Sequence, residues 1–236
     1  MKFFNLIFLL IPFVSLAQVP GCVPIRGEYL YMRETEVTNQ HYQDFLFSIS
    51  KEDSIKNLPN SKLWKTHKYC EPLAEFYFRH PAYQNYPVVN ISYKQAIAYC
   101  NWLTIQLNQN IPNQKVVARL PTEKEWEFAA KAGNQFAIYP WGHETMRVKK
   151  GKFQGRMQAN FMRGKGDYLG VYGGNKHGSI DITAPVYSYW PNDFGIYNMS
   201  GNAAEMITEK GLVKGGSWRN RADWLQINKQ QYVHSA

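Results

Sequence analysis

One segment near the middle of the chain specifies its own start, its own end and one buried face. It reads Ala118-Arg119-Leu120-Pro121-Thr122-Glu123-Lys124-Glu125-Trp126-Glu127-Phe128-Ala129-Ala130-Lys131-Ala132-Gly133. Thr122 followed three residues later by Glu125 forms a capping box, which satisfies free backbone amides at a helix start. Gly133 is typical of the left-handed residue that ends a helix. One large and two small residues share a helical face: Trp126, Ala129 and Ala130. The segment therefore predicts a short, capped, half-buried helix.

Two more helices are predicted from similar start signals. Thr38 is placed to cap a helix whose apolar residues recur at helical spacing, namely Tyr42, Phe45 and Leu46. Ser92 with Gln95 repeats the capping box and opens a helix that we expect to run to about Leu107. The inner stripe of this helix is expected at Ala96, Tyr99, Cys100 and Leu103.

The rest of the chain has little regular periodicity. Residues 28–37 are expected to be extended, and residues 186–190 to form a short strand that ends at Pro191. Residues 50–82 carry many aromatic side chains, so we expect an irregular loop packed on the domain by its rings. The length suits one domain. The sequence thus predicts a single α+β domain with few helices, short strands and much ordered loop.

The string from Arg119 to Ala130 resembles the central signature of the formylglycine-generating enzyme family, the sulfatase-modifying-factor domain. Five further matches follow the family's order: Glu34 to Asn39, Pro87 to Ser92, Tyr139 to Gly142, Asn192 to Glu205, and Lys214 to Trp218. The resemblance implies an irregular, loop-rich fold related to the C-type lectin scaffold, over residues 28–236. Family chains continue to a closing Gly-Phe-Arg strand, so this domain is expected to be short at its C-terminal end and to leave a sheet edge for a partner.

The first residues have the features of an export signal. Lys2 gives a positive start, residues 3–14 are apolar, and Ala17 is a small residue suited to cleavage before Gln18. We therefore expect a signal peptide over 1–17, a linker over 18–27, and an exported protein in the periplasm, the outer membrane or the cell surface. Cys22 is a candidate lipidation site, as in bacterial lipoproteins, although the preceding Val-Pro-Gly favours plain cleavage.

The cysteines and charges leave alternatives open. Cys70 and Cys100 are equally compatible with a disulfide and with buried free thiols. The formal net charge of +9 is compatible with several anionic partners. Basic residues are scattered except in the run 147–152, which we interpret as a solvated loop in preference to a binding patch. We expect no nucleic-acid partner.

The resemblance also indicates where catalysis would lie. Active members of the family bind copper with two cysteines that follow the Gly-Gly-Ser motif, because soft thiolates stabilise Cu(I). The matching positions are Asn220 and Leu225, so we expect neither copper nor cysteine oxidation. A related branch holds iron with three histidines. No ligand-like spacing is present among His41, His67, His80, His143, His177 and His234.

Calcium is the metal that the resemblance still implies. Gly201, Asn202 and Glu205 match family positions that supply oxygen ligands, which suit Ca²⁺. Asn160 and Phe161 resemble the start of a second site, but its partner aspartate is not aligned, with Asp181 nearby and shifted. The alternative is that Asn202 is a turn residue and Glu205 caps a helix start.

Within the family, the strings 78–89, 160–168 and 181–186 resemble non-catalytic lipoproteins of gliding motility and type IX secretion. This resemblance implies an inactive interaction component of a cell-envelope complex, with envelope proteins as partners. One alternative is an enzyme with a non-cysteine centre at Arg219 to Asp223. Another alternative is a carbohydrate-binding module. Exposure of Trp64, Trp190 or Trp218 would support it.

Overall fold

A computed structural model describes residues 19–26, 29–66, 70–111, 115–163 and 182–232. Its α-helices are α1 Asn39–Ser48, α2 Lys51–Lys56, α3 Leu73–Phe76, α4 Tyr93–Asn110 and α5 Glu123–Lys131. Its strands are β1 Cys22–Arg26, β2 Leu30–Arg33, β3 Glu205–Met206, β4 Leu212–Lys214 and β5 Gln231–Tyr232. Short 3-10 turns lie at Ser61–Thr66, Pro81–Tyr83 and Ala222–Leu225. The expected mixture of few helices, short strands and extensive loop is confirmed.

The three predicted helix starts form capping boxes. Thr38, Ser92 and Thr122 each accept a hydrogen bond from the backbone amide three residues later. The side chain of that later residue bonds back to the cap amide in each case. Helix α5 ends at Lys131, and it is followed by two left-handed residues, Ala132 with φ 45° and the predicted Gly133 with φ 87°. Local sequence therefore determines these helix ends.

The strands form two small antiparallel sheets. In the first, β1 pairs with β2, and Cys22 lies opposite Arg33. In the second, the order is β3-β4-β5. The linker expected over 18–27 is therefore corrected, because residues 22–26 are a strand of the domain and Val19 is only 3% exposed. The signal peptide expected over 1–17 lies outside the described residues.

The strand expected over 186–190 is also wrong. Residues 186–187 form a turn, and Tyr189 has a left-handed φ of 67° that breaks an extended run. Val186 is nevertheless buried, and its amide donates to the Asn85 carbonyl at 2.9 Å. The β-branched and aromatic residues of this segment thus lie in a loop anchored at Val186.

Helix α5 lies at the centre of the main core. Trp126, Ala129 and Ala130 are each 0% exposed, as the sequence predicted. They pack with residues from the first sheet and from the last third of the chain, including Ile25, Ile196, Met199, Ile207 and Ile227. The predicted inner stripe of α4 is buried at Ala96 and Tyr99, whereas Cys100 and Leu103 are half-buried.

Residues 50–82 are more regular than expected, because they contain α2, a 3-10 turn and α3. The expectation that aromatic rings attach this segment to the domain agrees with the burial of Trp64 and Tyr77. Cys22, Cys70 and Cys100 are free thiols. Within the described residues, the helices are all too short or too polar to cross a membrane.

Candidate functional site

The two positions at which the resemblance implies copper ligands in active relatives, Asn220 and Leu225, lie after β4. The Asn220 side-chain oxygen accepts hydrogen bonds from the Ser217 amide and hydroxyl, each at 2.8 Å. Leu225 is 0% exposed and belongs to an apolar cluster with Tyr139 and Phe161. Asn220 thus closes a turn, and Leu225 fills the core. Neither side chain can act as a soft ligand for Cu(I).

The segment 50–82 covers this region. The Trp64 ring stacks on Trp218 with 5.9 Å between centroids, and it also contacts Tyr77 at 4.7 Å. Trp64 and Trp218 are only 4% and 8% exposed. The Arg219 guanidinium lies 5.3 Å from the centre of the Trp218 ring. These tryptophans are core residues and do not form a sugar-binding platform; Trp190, at 38% exposure, lies apart from their cluster.

Cys70 is buried in the same cluster as Trp64 and Trp218. Burial raises the pKa of its thiol, and the nearby Arg219 guanidinium opposes that rise only in part. The thiol is therefore held in its protonated, weakly nucleophilic form. Within the described residues, no three His, Cys, Asp or Glu side chains lie together as a metal site. His67, His177 and His234 fall outside those residues.

Asn202 is the centre of a buried polar network. Its side-chain oxygen accepts from the Ala184 amide at 2.6 Å and from the Asn160 amide group at 3.1 Å. Its side-chain nitrogen donates to Glu36 at 2.8 Å and to the Ala184 carbonyl at 3.1 Å. Asn202 is 0% exposed and has a left-handed φ of 60°. One side chain thus joins four separate segments, which is the role expected of a satisfied buried amide.

Two carboxyl groups lie beside this network with altered acidity. Burial raises the pKa of Glu36 to about 8; Glu205 adds to this rise, while hydrogen bonds from Asn198 and Asn202 oppose it. Burial likewise raises the pKa of Glu205 to about 7, and a hydrogen bond from the Trp126 indole at 2.6 Å opposes it. The two carboxyls therefore face an interior that disfavours charge.

These contacts do not fit the expected calcium ligands. The Asn202 oxygen is occupied by two N–H donors, and the Asn160 carbonyl accepts from the Asn202 amide at 2.8 Å. Phe161 is packed in the apolar cluster around Leu225, so its side chain offers no ligand. Glu205 begins β3 and caps no helix. Asp181 lies outside the described residues.

Sequence reasoning missed a buried cation beside α5. The Lys214 ammonium has 0% side-chain exposure and contacts Glu123 at 3.0 Å and Glu127 at 2.8 Å. It also lies 5.6 Å from the centre of the Trp126 ring. The spacing of the two glutamates on one helical face was the available signal. Their partner, however, comes from a distant strand and could not be identified by spacing.

A cavity of about 1270 Å³ opens between the two sheets and α4. Its wall includes β2, β3, Glu36, Glu205, Cys100 and Leu103. Among the described residues, β2 pairs only with β1, and β3 pairs only with β4. β2 and β3 are therefore edge strands of their sheets, and both contribute residues to the cavity wall. Its volume exceeds the range of about 300–1,000 Å³ that is usual for small-molecule sites.

Two solved structures have a similar fold over most of the chain. Treponema denticola variable protein 1 superposes with a TM-score of 0.53 and 20% identity, covering 87% of this chain and 79% of that one. The crystal structure of CarF gives a TM-score of 0.51 and 22% identity, covering 87% and 80%. At these identities the similarity concerns the fold alone.

The alignments with sequence relatives cover only part of each relative, because the relatives are longer proteins. "Inactive C-alpha-formylglycine-generating enzyme 2" of Bos taurus is 28% identical over 213 residues, 83% of this chain and 61% of that protein. The formylglycine-generating enzyme of Thermomonospora curvata is 36% identical over 125 residues, 53% and 34% respectively. The chain thus spans less than two thirds of the length of these relatives. The model of the sulfatase-modifying factor enzyme 1-like domain matches residues 23–235. The chain therefore belongs to the sulfatase-modifying-factor family, whose members include the formylglycine-generating enzymes.

Proposed function

We propose that this protein is a non-catalytic member of its family that acts as an interaction component of the bacterial cell envelope. The observation that carries the proposal is the replacement of both copper ligands by residues with structural roles. Asn220 closes a turn through Ser217, and Leu225 fills the core. Without two thiolates, the copper chemistry of the family lacks its centre. A relative from Bos taurus that is named as inactive gives this proposal a precedent.

The envelope assignment depends on the N-terminal sequence and on short strings. The apolar start favours export, and segments 78–89 and 160–168 resemble lipoproteins of gliding motility and type IX secretion. The contacts of the residues just before β1 favour cleavage before Gln18 over lipidation at Cys22, which requires cleavage directly before that cysteine. Lipidation would remove Val19 and Gly21, which bond to Cys22 and Glu34 through backbone groups.

The free sheet edges offer a way to hold a protein partner. We propose that an extended segment of an envelope protein adds to the edge of β2 or β3 inside the cavity. Unpaired strand groups are templates for such pairing, and apolar pockets beside them bind alternate side chains. Leu30 and Met32 on β2 are half-buried and line the cavity.

The test is affinity purification of the full chain from native envelopes in mild detergent, followed by mass spectrometry. We expect stoichiometric recovery of secretion or motility proteins and slower hydrogen exchange of the β2 amides in the complex. A monomer without partners would contradict the envelope role. Alanine variants of Arg219 and Asp223 test the alternative that the protein is an enzyme with a non-cysteine centre. If such a variant loses its cellular function but still forms the complex, the result favours catalysis.

A further inference from the structure

The densest group of positively charged residues in the sequence lies between positions 145 and 163. This stretch contains six basic residues and no acidic residue: Arg147, Lys149, Lys150, Lys152, Arg156 and Arg163. Arg147 and Arg163 have further interactions within the chain. The other four side chains are exposed and form no ion pair within the described residues. Four uncompensated positive charges therefore face solvent.

These charges lie on an ordered hairpin. Val148 and Arg156 are joined by a backbone hydrogen bond of 2.9 Å, and the Gly155 amide donates to the Val148 carbonyl at 2.9 Å. Arg147 pairs with Met157 in an isolated antiparallel bridge. A tight turn closes the tip, where the Gln154 amide donates to the Gly151 carbonyl at 3.0 Å. The hairpin, defined by residues 147–157, thus presents the charges in a fixed arrangement.

Two aromatic rings lie among the charges. Phe153, at the tip, contacts Trp190 with 5.3 Å between ring centroids. The Arg156 guanidinium lies 5.0 Å from the centre of the Phe153 ring, and the Lys152 ammonium lies 5.7 Å from it. Trp190 is 38% exposed. Because the rings are only partly covered, they can enter an apolar interface while the cations stay in its polar layer.

We propose that the 147–157 hairpin with Trp190 binds the surface of an anionic phospholipid bilayer. Basic side chains are attracted to such a surface, and each contributes about fivefold to binding when it lies near the headgroups. Tryptophan is enriched at the level of lipid headgroups. The inference goes beyond the envelope-complex role and does not depend on it, since the ligand is lipid and the surface is separate from the cavity.

A bilayer fits these residues better than an acidic protein or a nucleic acid. Protein interfaces place their aromatic anchors in desolvated pockets with charges at the rim, whereas here the cations flank rings at a hairpin tip. Recognition of single-stranded nucleic acid needs aromatic faces open to successive bases, whereas the Phe153 ring is covered by the Arg156 guanidinium and by Trp190.

The test uses the purified mature chain and sedimentation with two kinds of vesicle, pure phosphatidylcholine and equal parts phosphatidylcholine and phosphatidylglycerol. We expect binding only to the anionic vesicles, with weakening as NaCl is raised. Each of the four side chains contributes about fivefold to binding, and these factors multiply. The variant K149A/K150A/K152A/R156A is therefore expected to bind the anionic vesicles roughly several-hundred-fold more weakly. Brominated lipid is expected to quench tryptophan emission less in W190F than in the unchanged protein.

The matched control removes the same charge elsewhere. K62A/K65A/K94A/K124A changes four exposed lysines on other elements. We expect this control to bind anionic vesicles within about fivefold of the unchanged protein. An equal loss in the control would show a general charge effect and overturn the proposal. So would binding to neutral vesicles, absence of binding to either kind, or tighter binding to soluble polyglutamate or RNA. Thermal melting of both variants checks that they fold.

Discussion

Single side chains with many partners carry much of the specificity of this fold. Lys214 is fully buried, and two glutamates of α5 and the Trp126 ring surround its ammonium group. Asn202 joins four segments through one amide group. Neither role was predicted from the sequence, since both depend on partners that are remote along the chain. Glu36 lies in the string from Glu34 to Asn39, and nothing in that string indicates that its pKa is raised.

Replacing Lys214 tests the buried ion pair. K214M leaves Glu123 and Glu127 without their cation, and each glutamate side chain is about a quarter exposed. We expect a loss of about 2–4 kcal/mol in the free energy of unfolding, below the value for fully buried pairs because water can reach the carboxylates. Urea unfolding of both proteins measures this difference in the free energy of unfolding. The exposed-lysine control K229M should change stability by less than about 0.5 kcal/mol, and a similarly small effect of K214M would refute the pairing.

The network around Asn202 predicts the response to calcium. The expected ligand oxygens of Asn202 and Asn160 are occupied by N–H donors. We therefore expect the melting temperature to be the same in excess EDTA and in excess Ca²⁺, because a ligand that does not bind the native state cannot stabilise it. Differential scanning calorimetry is the measurement. A rise of several degrees with Ca²⁺, lost in N202A, would restore the family calcium site.

Among the elements, the sequence was most informative where structure is local. The N-cap residue Thr38 and the capping boxes at Ser92 and Thr122 identified α1, α4 and α5, because their contacts span only three residues. Strands were harder, since pairing depends on distant residues. The strand β1 lies in a segment expected to be a linker, and the expected strand over 186–190 is a loop in which only Val186 is buried. At the candidate site, the motif located Asn220 and Leu225, but nothing local indicated that Trp64 stacks on the neighbouring Trp218.

Helix α5 also predicts a pH effect. A bidentate contact with Arg119, at 2.6 and 2.7 Å, lowers the pKa of Glu125 to about 2, together with hydrogen bonds from Thr122. A lowered pKa in the folded state stabilises it above the unfolded value of about 4.5, and this gain is lost as pH falls towards 2. E125Q keeps an N3 cap but not the charge. We expect it to be less stable by about 0.5–1.5 kcal/mol at pH 7 and nearly equal at pH 2.

Urea titrations of both proteins at several pH values provide the check. E144Q, a change at an exposed glutamate outside the helices, serves as the matched control. A stability difference between E125Q and the unchanged protein that is constant from pH 7 to pH 2 would contradict the charge-based account of this cap.

The segment 50–82 makes a further prediction at this scale. If Trp64 attaches it to the domain, W64A removes the stack on Trp218 and the contact with Tyr77. We expect a loss of about 3–5 kcal/mol. In a C22S/C100S background, we also expect faster labelling of Cys70, which is buried beside Trp64. L63A, at a residue that is 41% exposed, is the control. Unchanged labelling of Cys70 in W64A would mean that Trp64 does not cover this region.

At the scale of the whole molecule, the protein retains the family scaffold while the positions of its copper ligands have structural roles. Trp64 stacks on Trp218, which directly follows the Gly-Gly-Ser motif, and burial in the same cluster raises the pKa of the Cys70 thiol. What stays accessible is the cavity with its two sheet edges and the basic hairpin. These surfaces suit binding to other molecules, which is why we regard the protein as an interaction component.

The most direct test of this account is an assay of the family's reaction. The purified protein is incubated with Cu(I), oxygen and a cysteine-containing peptide, and mass spectrometry follows conversion of that cysteine to formylglycine. A competition assay with a Cu(I) chelator is run in parallel, with a formylglycine-generating enzyme as the positive control. The account predicts no conversion and no stoichiometric copper that survives the chelator. Copper-dependent turnover of the peptide, retained after Asn220→Ala and Leu225→Ala, would reveal a different catalytic centre and contradict it.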